Sequence, residues 1–171
     1  MPFDAAPAAT GAPVADLDAF LAGIERRAFR MAELALGHRE DALDAVQDAM
    51  LRFVGYRDRP PAEWPPLFWA ILRSQLTDRH RRNRVRRAVM AVLGRGEEPA
   101  EDPIERLPDP AADPVRHLED QRAWQALGQA VRALPRRQRE AYLLRELEGL
   151  DVADTAAAMG CSDGSVTTHL S

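Results

Sequence analysis

The chain has 171 residues, of which 46% are hydrophobic and 29% charged, a composition typical of a globular protein with one ordinary domain or two small ones. A single cysteine, Cys161, excludes an internal disulfide framework and a zinc site built from clustered cysteines. The net charge is −4, and all basic residues are arginine. The amino terminus lacks the features of a signal peptide, and no apolar run could span a membrane. We therefore expect a soluble, cytoplasmic protein without membrane insertion.

The first half of the chain predicts a tail followed by three helices. Residues 1–16 are rich in proline and alanine, and we expect them to be disordered. Apolar residues then recur at helical spacing up to Gly37, whose position is typical of a helix end. A second helix is predicted over residues 40–54, and Pro65 suits the first turn of a third. Residues 17–93 are thus expected to form one helical domain.

The second half predicts a linker and a second helical domain. Residues 94–114 contain five prolines and seven acidic residues, so we expect an extended, flexible, acidic linker. Residues 115–171 show helical periodicity, with Gly160 at a tight turn between two short helices. No strand-like alternation is found in the sequence. The predicted fold class is therefore all-α, with two small helical domains joined by the linker.

An arginine cluster follows the third predicted helix. Six positive charges fall within nine residues, and their mutual repulsion is relieved when a polyanion such as nucleic acid binds and releases counterions. The alternative is a solvated helix end against which the acidic linker folds back. The cluster comprises Arg79, Arg81, Arg82, Arg84, Arg86 and Arg87.

An acidic face is predicted on the second helix. Glu40, Asp41, Asp44 and Asp48 share one side of it, with Gln47 adjacent. Like charges at this spacing repel one another, so the pattern favours either a solvated surface or a docking face for a basic or polar partner helix.

The end of the chain has the spacing of a helix-turn-helix, in which the second helix enters the major groove of DNA. Val166 and Leu170 are predicted to face inward in this motif. The outward residues have short polar side chains that can meet phosphates and base edges. The alternative is an ordinary pair of antiparallel helices. The outward residues are Ser165, Thr167, Thr168, His169 and Ser171.

Other features give little support for an enzyme. The four histidines lack a common metal-binding spacing, and no phosphate-binding loop, nucleophile motif or carboxylate pair is recognisable. We expect no catalytic residue, metal, cofactor or small-molecule substrate. Trp64, Phe68 and Trp69 precede the arginine cluster and predict either base stacking or a hydrophobic core.

Taken together, these features resemble the bacterial RNA polymerase sigma factors of the extracytoplasmic-function class, a group of the sigma-70 family. Residues 40–48 look like region 2.2, and residues 64–87 look like regions 2.3 and 2.4. Residues 134–140, with sequence LPRRQRE, match the start of region 4, and residues 160–166 match the turn of its helix-turn-helix. The resemblance covers roughly residues 17–87 and 117–171.

The resemblance implies a sigma factor that directs promoter-specific initiation. Asp44, Gln47 and Asp48 would bind the clamp helices of the β′ subunit in core RNA polymerase, whose β subunit is a further expected partner. The same resemblance implies promoter DNA and allows an anti-sigma factor as partners. The residues implied at the −35 element are the outward residues of the last helix. Those implied at the −10 element are Trp64, Arg79, Arg81, Arg82, Arg84 and Arg86.

The sequence also departs from the family pattern. Thr155 replaces an apolar residue in the first helix of the motif, and Thr167 and His169 replace basic residues. The chain stops at Ser171, inside the recognition helix, so we expect a truncated region 4. These departures keep a second function open: a helix-turn-helix regulator or polymerase-binding adaptor that does not itself direct initiation. The third possible function is that of a helical interaction protein with no role at DNA.

Overall fold

A computed structural model describes residues 14–94 and 114–171, and every regular element in these two ranges is helical. The all-α prediction is therefore confirmed. A short 3-10 turn over Pro61–Glu63 precedes the third helix, and the fifth continues into a π-helical segment over Leu143–Leu147. The helices are α1 (Val14–Leu36), α2 (Arg39–Val54), α3 (Trp64–Val92), α4 (Pro114–Ala133), α5 (Arg136–Tyr142), α6 (Val152–Met159) and α7 (Asp163–Leu170).

Local sequence signals set several of the helix ends. Gly37 has a φ of +73°, which glycine adopts without steric penalty, and its backbone N–H donates to Glu33 O at 2.8 Å to close α1. Helix α1 begins at Val14, inside the predicted tail, and α4 begins at Pro114, the last residue of the predicted linker. The remainder of the tail and linker, residues 1–13 and 95–113, lies outside the described residues.

An aromatic cluster holds α1, α2 and α3 together. Phe20 lies against Phe53 and Trp64 with ring centroids 5.3 and 5.5 Å apart, and Phe68 contacts Phe53 and Trp69 at similar distances. Tilted and edge-on pairs of this kind add about 0.5–1.5 kcal/mol each beyond the burial of their area. We call helices α1–α3 the first unit.

Helices α4–α7 form a second unit that packs directly on the first. Its buried residues include Val131, Leu144, Met159 and Val166, and they belong to one continuous hydrophobic cluster with the core of the first unit. Helix α6 lies on α3, and α4 lies on α1. The two units therefore share buried apolar surface.

Polar contacts also join the units. Arg27 on α1 donates to a carboxylate oxygen and the backbone carbonyl of Glu148, both at 2.9 Å. Arg73 on α3 donates to Ala158 O at 3.0 Å and contacts Glu140 at 3.2 Å. Arg136 and Arg137 also contact Glu140, at 3.8 and 3.3 Å, so this buried carboxylate is surrounded by guanidinium groups from both units.

Candidate nucleic-acid interface

The last two helices form a helix-turn-helix whose ends are set by capping residues. Asp151 accepts a hydrogen bond from Asp154 N at 2.7 Å at the start of α6, and Ser162 accepts from Ser165 N at 3.3 Å at the start of α7. Between the helices, Gly160 has a φ of +62°, a left-handed conformation that other residues rarely adopt. Gly160 therefore occupies the predicted tight turn, and the capping side chains of Asp151 and Ser162 fix the starts of the two helices.

The outer face of α7 carries short hydroxyl side chains. Thr167 and Thr168 are exposed, and their Oγ1 atoms donate to backbone carbonyls one turn earlier, at 3.3 and 2.9 Å. Ser171 is exposed in the same way, whereas Ser165 and His169 are only partly exposed. The face is compact and uncharged at its centre, so it can approach a base edge or a phosphate closely.

The basic stretch lies on the second half of α3. We use this name for Arg81, Arg82, Arg84, Arg86 and Arg87. All five side chains are exposed, and within residues 14–94 and 114–171 none of them takes part in an ion pair or hydrogen bond. The stretch therefore presents five uncompensated positive charges on one helix, a strong attraction for a polyanion.

Arg79 differs from the basic stretch. Its guanidinium faces α2, where it contacts Asp48 at 2.8 Å, Asp44 at 3.5 Å and Asp41 at 3.8 Å. The sequence placed Arg79 among the residues that contact the −10 element, but these three carboxylates already compensate its charge. Arg79 instead fixes α3 against α2, and it does not add to the free positive charge of the surface.

Trp64 lies in the hydrophobic core, one of the two environments that the sequence left open. The family resemblance implied a contact with the −10 element, yet Trp64 is only 2% exposed and its indole N–H donates to Arg59 O at 2.9 Å. The reason is its contact with Phe20 and Phe53, which places it in the aromatic core. A base cannot reach either face of this ring, so the expected role of Trp64 is wrong.

A ring that a base could reach lies close by. Tyr56, in the turn after α2, is 42% exposed and lines a shallow pocket of about 340 Å³ together with Arg52 and Ser74. With the Gln75 amide oxygen facing Arg52, that oxygen accepts from Arg52 Nε at 2.9 Å, which orients the guanidinium. Tyr56 was not among the residues predicted to contact DNA. An aromatic residue beside arginines in a turn was the available signal.

The outer face of α2 carries apolar residues among its acidic ones. Helical spacing predicts Leu43 on the inner face of α2 together with Val46 and Phe53, but Leu43 is 43% exposed, and Leu51 is 74% exposed. Gln47 lies between them, one turn from each, and Asp44 and Asp48 flank it with largely exposed carboxylates. We call Leu43, Gln47 and Leu51 the α2 stripe. A helix face of this kind is typical of a protein–protein contact.

Metal and membrane sites are not found in the described residues. No group of three or more His, Cys, Asp or Glu side chains within residues 14–94 and 114–171 is placed to hold a metal ion. The helices in the same ranges are too short or too polar to cross a lipid bilayer.

Comparison with known families identifies the second unit. Residues 124–171 match the model of sigma-70 region 4, a span that includes the helix-turn-helix described above. Residues 124–171, which make up most of the second unit, form a region 4 domain of the sigma-70 family. The predicted sigma-70 resemblance is thereby confirmed, and the extracytoplasmic-function class is consistent with it. The comparison with curated proteins gave no match.

The region 4 domain accommodates its unusual core residue. Thr155 is fully buried, and its Oγ1 donates to Asp151 O at 2.7 Å, so the hydroxyl is satisfied within α6. Leu170 was predicted to face inward in this domain, but it is 39% exposed because the last turn of α7 extends past the core residue Val166. The region 4 match supports a sigma factor or a related DNA-binding protein in transcription.

One ionisable group in region 4 is unfavourably buried. Burial raises the pKa of Glu148 above its ordinary value of 4.5, and this effect exceeds the opposing attraction of Arg27 and Arg30. Since folding favours the protonated acid, the contribution of Glu148 to stability is lost as the pH rises from 4.5 through the folded-state pKa.

We therefore predict a pH-dependent effect of the substitution Glu148→Gln. The free energy of unfolding of the wild type should fall relative to that of Glu148→Gln as the pH rises through this window, and the difference should then level off. Urea unfolding at a series of pH values measures it. Glu146→Gln, at an exposed neighbouring position, is the control. An equal pH dependence of Glu148→Gln and wild type would contradict the prediction.

Proposed function

We propose that this protein is a sigma factor of the extracytoplasmic-function class, which binds core RNA polymerase and directs initiation at promoters with −10 and −35 elements. In this proposal residues 17–93 form a region 2-like domain and residues 115–171 the region 4 domain. The match of residues 124–171 to region 4 is the observation that carries the proposal. The contacts proposed below extend it to the first unit.

The basic stretch supports binding of the first unit to opened promoter DNA. Its five exposed arginines can neutralise successive phosphates, while the pocket beside Tyr56 can hold an unstacked base against an aromatic ring. Trp64 is left out of this interface because it is buried. Arg79 is assigned a positioning role, since it fixes the orientation of α3 against α2.

Helix α7 is proposed to contact the −35 element through its hydroxyl face. Thr167, Thr168 and Ser171 are exposed, and Ser165 and His169 lie at the edges of the same face. None of these side chains carries a permanent positive charge, so the contact is expected to be weak by itself. The two DNA contacts are made by one chain, and the resulting high effective concentration compensates for their individual weakness.

The α2 stripe supports docking on polymerase. Asp44, Gln47 and Asp48 remain the proposed polar contacts, and the exposed Leu43 and Leu51 add apolar area on either side of them along the helix. Protein interfaces usually combine apolar and polar contacts in this way. We propose that this face meets the clamp helices of the β′ subunit.

We predict that Leu51→Asp weakens binding to core polymerase by about tenfold or more, because it replaces an apolar side chain of the proposed contact with a charged one. The matched control is Leu93→Asp, at an exposed leucine beyond the end of α3. Competition for core polymerase with a labelled sigma factor gives the two affinities, and circular dichroism checks that both variants fold. Equal affinities of Leu51→Asp and Leu93→Asp would exclude the α2 stripe as the docking surface.

Transcription with purified components tests the proposal as a whole. Core polymerase from the source bacterium is combined with the full chain and a library of its genomic promoter fragments, and transcript 5′ ends are mapped. Starts that require the protein and share upstream sequences at −10 and −35 are expected. Binding to core polymerase without specific transcripts would favour an adaptor, and binding to DNA alone would favour a helix-turn-helix regulator.

A further inference from the structure

A cavity of about 510 Å³ lies between the two helical units, beside the basic stretch. Its volume falls within the roughly 300–1,000 Å³ range of sites for small molecules, which occur preferentially where domains meet. Apolar side chains from both units form its floor, and all of them are buried. The floor consists of Met31, Ala35, Leu36, Leu76, Leu143 and Leu144.

The remainder of the cavity lining is strongly positive. Arg81 and Arg84 reach it from α3, and Arg136 and Arg139 reach it from α5. The described hydrogen bonds of Arg139 go to backbone carbonyls, which do not cancel its charge. Within the described part of the chain, the acidic residue of the lining is Glu140, and Arg73 contacts it at 3.2 Å. The lining therefore carries an excess of positive charge above an apolar floor.

The histidine in the lining experiences this positive field. His80 is partly buried, and its pKa is lowered by burial and by the charges of Arg139, Arg87 and Arg84. It is therefore biased towards its neutral form, and the cations that lower its pKa are the groups that would attract an anion to the cavity.

The chemistry of the lining restricts the ligand. Among the described residues of the lining there is no Phe, Tyr or Trp, so apart from the small imidazole ring of His80 a nucleobase would find no ring to stack on. An alkyl chain fits the aliphatic floor, and a planar carboxylate suits the guanidinium groups at the rim. We propose that this cavity binds a free fatty acid, with its chain on the leucine floor and its carboxylate among Arg81, Arg84 and Arg136.

Isothermal titration calorimetry on the full chain tests the proposal, with octanoate and decanoate below their micelle concentrations as probes. Saturable 1:1 binding is expected, with affinity increasing about fourfold for each added methylene group that reaches the floor. Decanol should bind more weakly than decanoate, because it lacks the charge. No saturable binding, or equal affinity for decanol and decanoate, would overturn the proposal. The assay requires neither polymerase nor DNA, so its outcome is independent of the proposed function.

Two matched pairs of variants locate the site. Ala88 lines the cavity and is exposed, so Ala88→Trp should block the opening and abolish binding, whereas Val92→Trp on the same helix should not. Arg84→Gln should weaken decanoate binding about fivefold, while Arg86→Gln, outside the cavity, should leave it unchanged. Equal effects within either pair would overturn the assignment of the site.

The alternative occupant of the cavity that the experiments must test is the segment of residues 95–113, which contains seven acidic residues. In a variant that replaces the seven acids of this segment with Asn or Gln, decanoate should bind with wild-type affinity if the cavity is a fatty-acid site. Binding that occurs only in this variant would show that the segment fills the cavity and would overturn the proposal.

Discussion

Replacing the five arginines of the basic stretch with glutamine is expected to weaken binding of the full chain to single-stranded DNA on the order of a thousandfold at 0.1 M salt. Each neutralised phosphate on a single strand contributes about 0.7 to the slope of log affinity against log salt. The slope should therefore fall by about 3 to 4 units. All five side chains are exposed, so their replacement should leave the fold intact.

Fluorescence anisotropy of a labelled oligonucleotide across a salt series measures both quantities. The control replaces Arg26 and Arg122 with glutamine, since both are exposed and lie on other helices. The single substitution Arg79→Gln in an otherwise wild-type chain tests the separate role of this residue. Arg79 already contacts three carboxylates, so its replacement should change the slope little. A slope that is unchanged by all five substitutions would remove the basic stretch from the DNA interface.

The second large effect is expected at Glu140. Its carboxylate is buried and contacted by Arg73, Arg136 and Arg137, and Thr77 donates to it at 3.5 Å. Glu140→Ala should lower the free energy of unfolding by about 3 kcal/mol, because it leaves the partly buried Arg73 guanidinium without its counter-ion. The guanidinium groups of Arg136 and Arg137 are more exposed, so water can solvate their charges after the carboxylate is removed.

Urea denaturation of the full chain measures this loss. The matched control is Glu63→Ala, which removes an exposed carboxylate 3.5 Å from Arg59 and should change stability by less than about 1 kcal/mol. If Glu140→Ala destabilises the protein no more than Glu63→Ala, the buried cluster does not join the two units.

The sequence predicted those features that depend on neighbouring residues. Gly37, Gly160, Asp151 and Ser162 act through the backbone within one helical turn, so the helix ends and the helix-turn-helix were predictable. The exposure of Thr167 and Thr168 followed from the same periodicity.

Features that depend on packing between distant segments were not predictable. The pairing of Arg79 with Asp48 requires the distance between α2 and α3, and the contact of Arg27 with Glu148 joins residues 121 positions apart. Periodicity also could not distinguish an apolar residue in the core from one kept at the surface, so Leu170 was expected to face inward, and the resemblance placed the buried Trp64 at the DNA. Surface residues at a proposed interface are where such errors are expected, because their partner is not part of the chain.

Because the two units share a hydrophobic core, separating them during binding to a partner costs free energy. Helix α6 lies on α3, so any partner that requires the units at a greater distance must first expose to water the surface that these two helices bury against each other. The apparent affinity of that partner is then lower than its intrinsic affinity by the fraction of molecules that are already separated. Substitutions in this shared core would thus change how readily the protein is recruited without altering any residue that touches the partner.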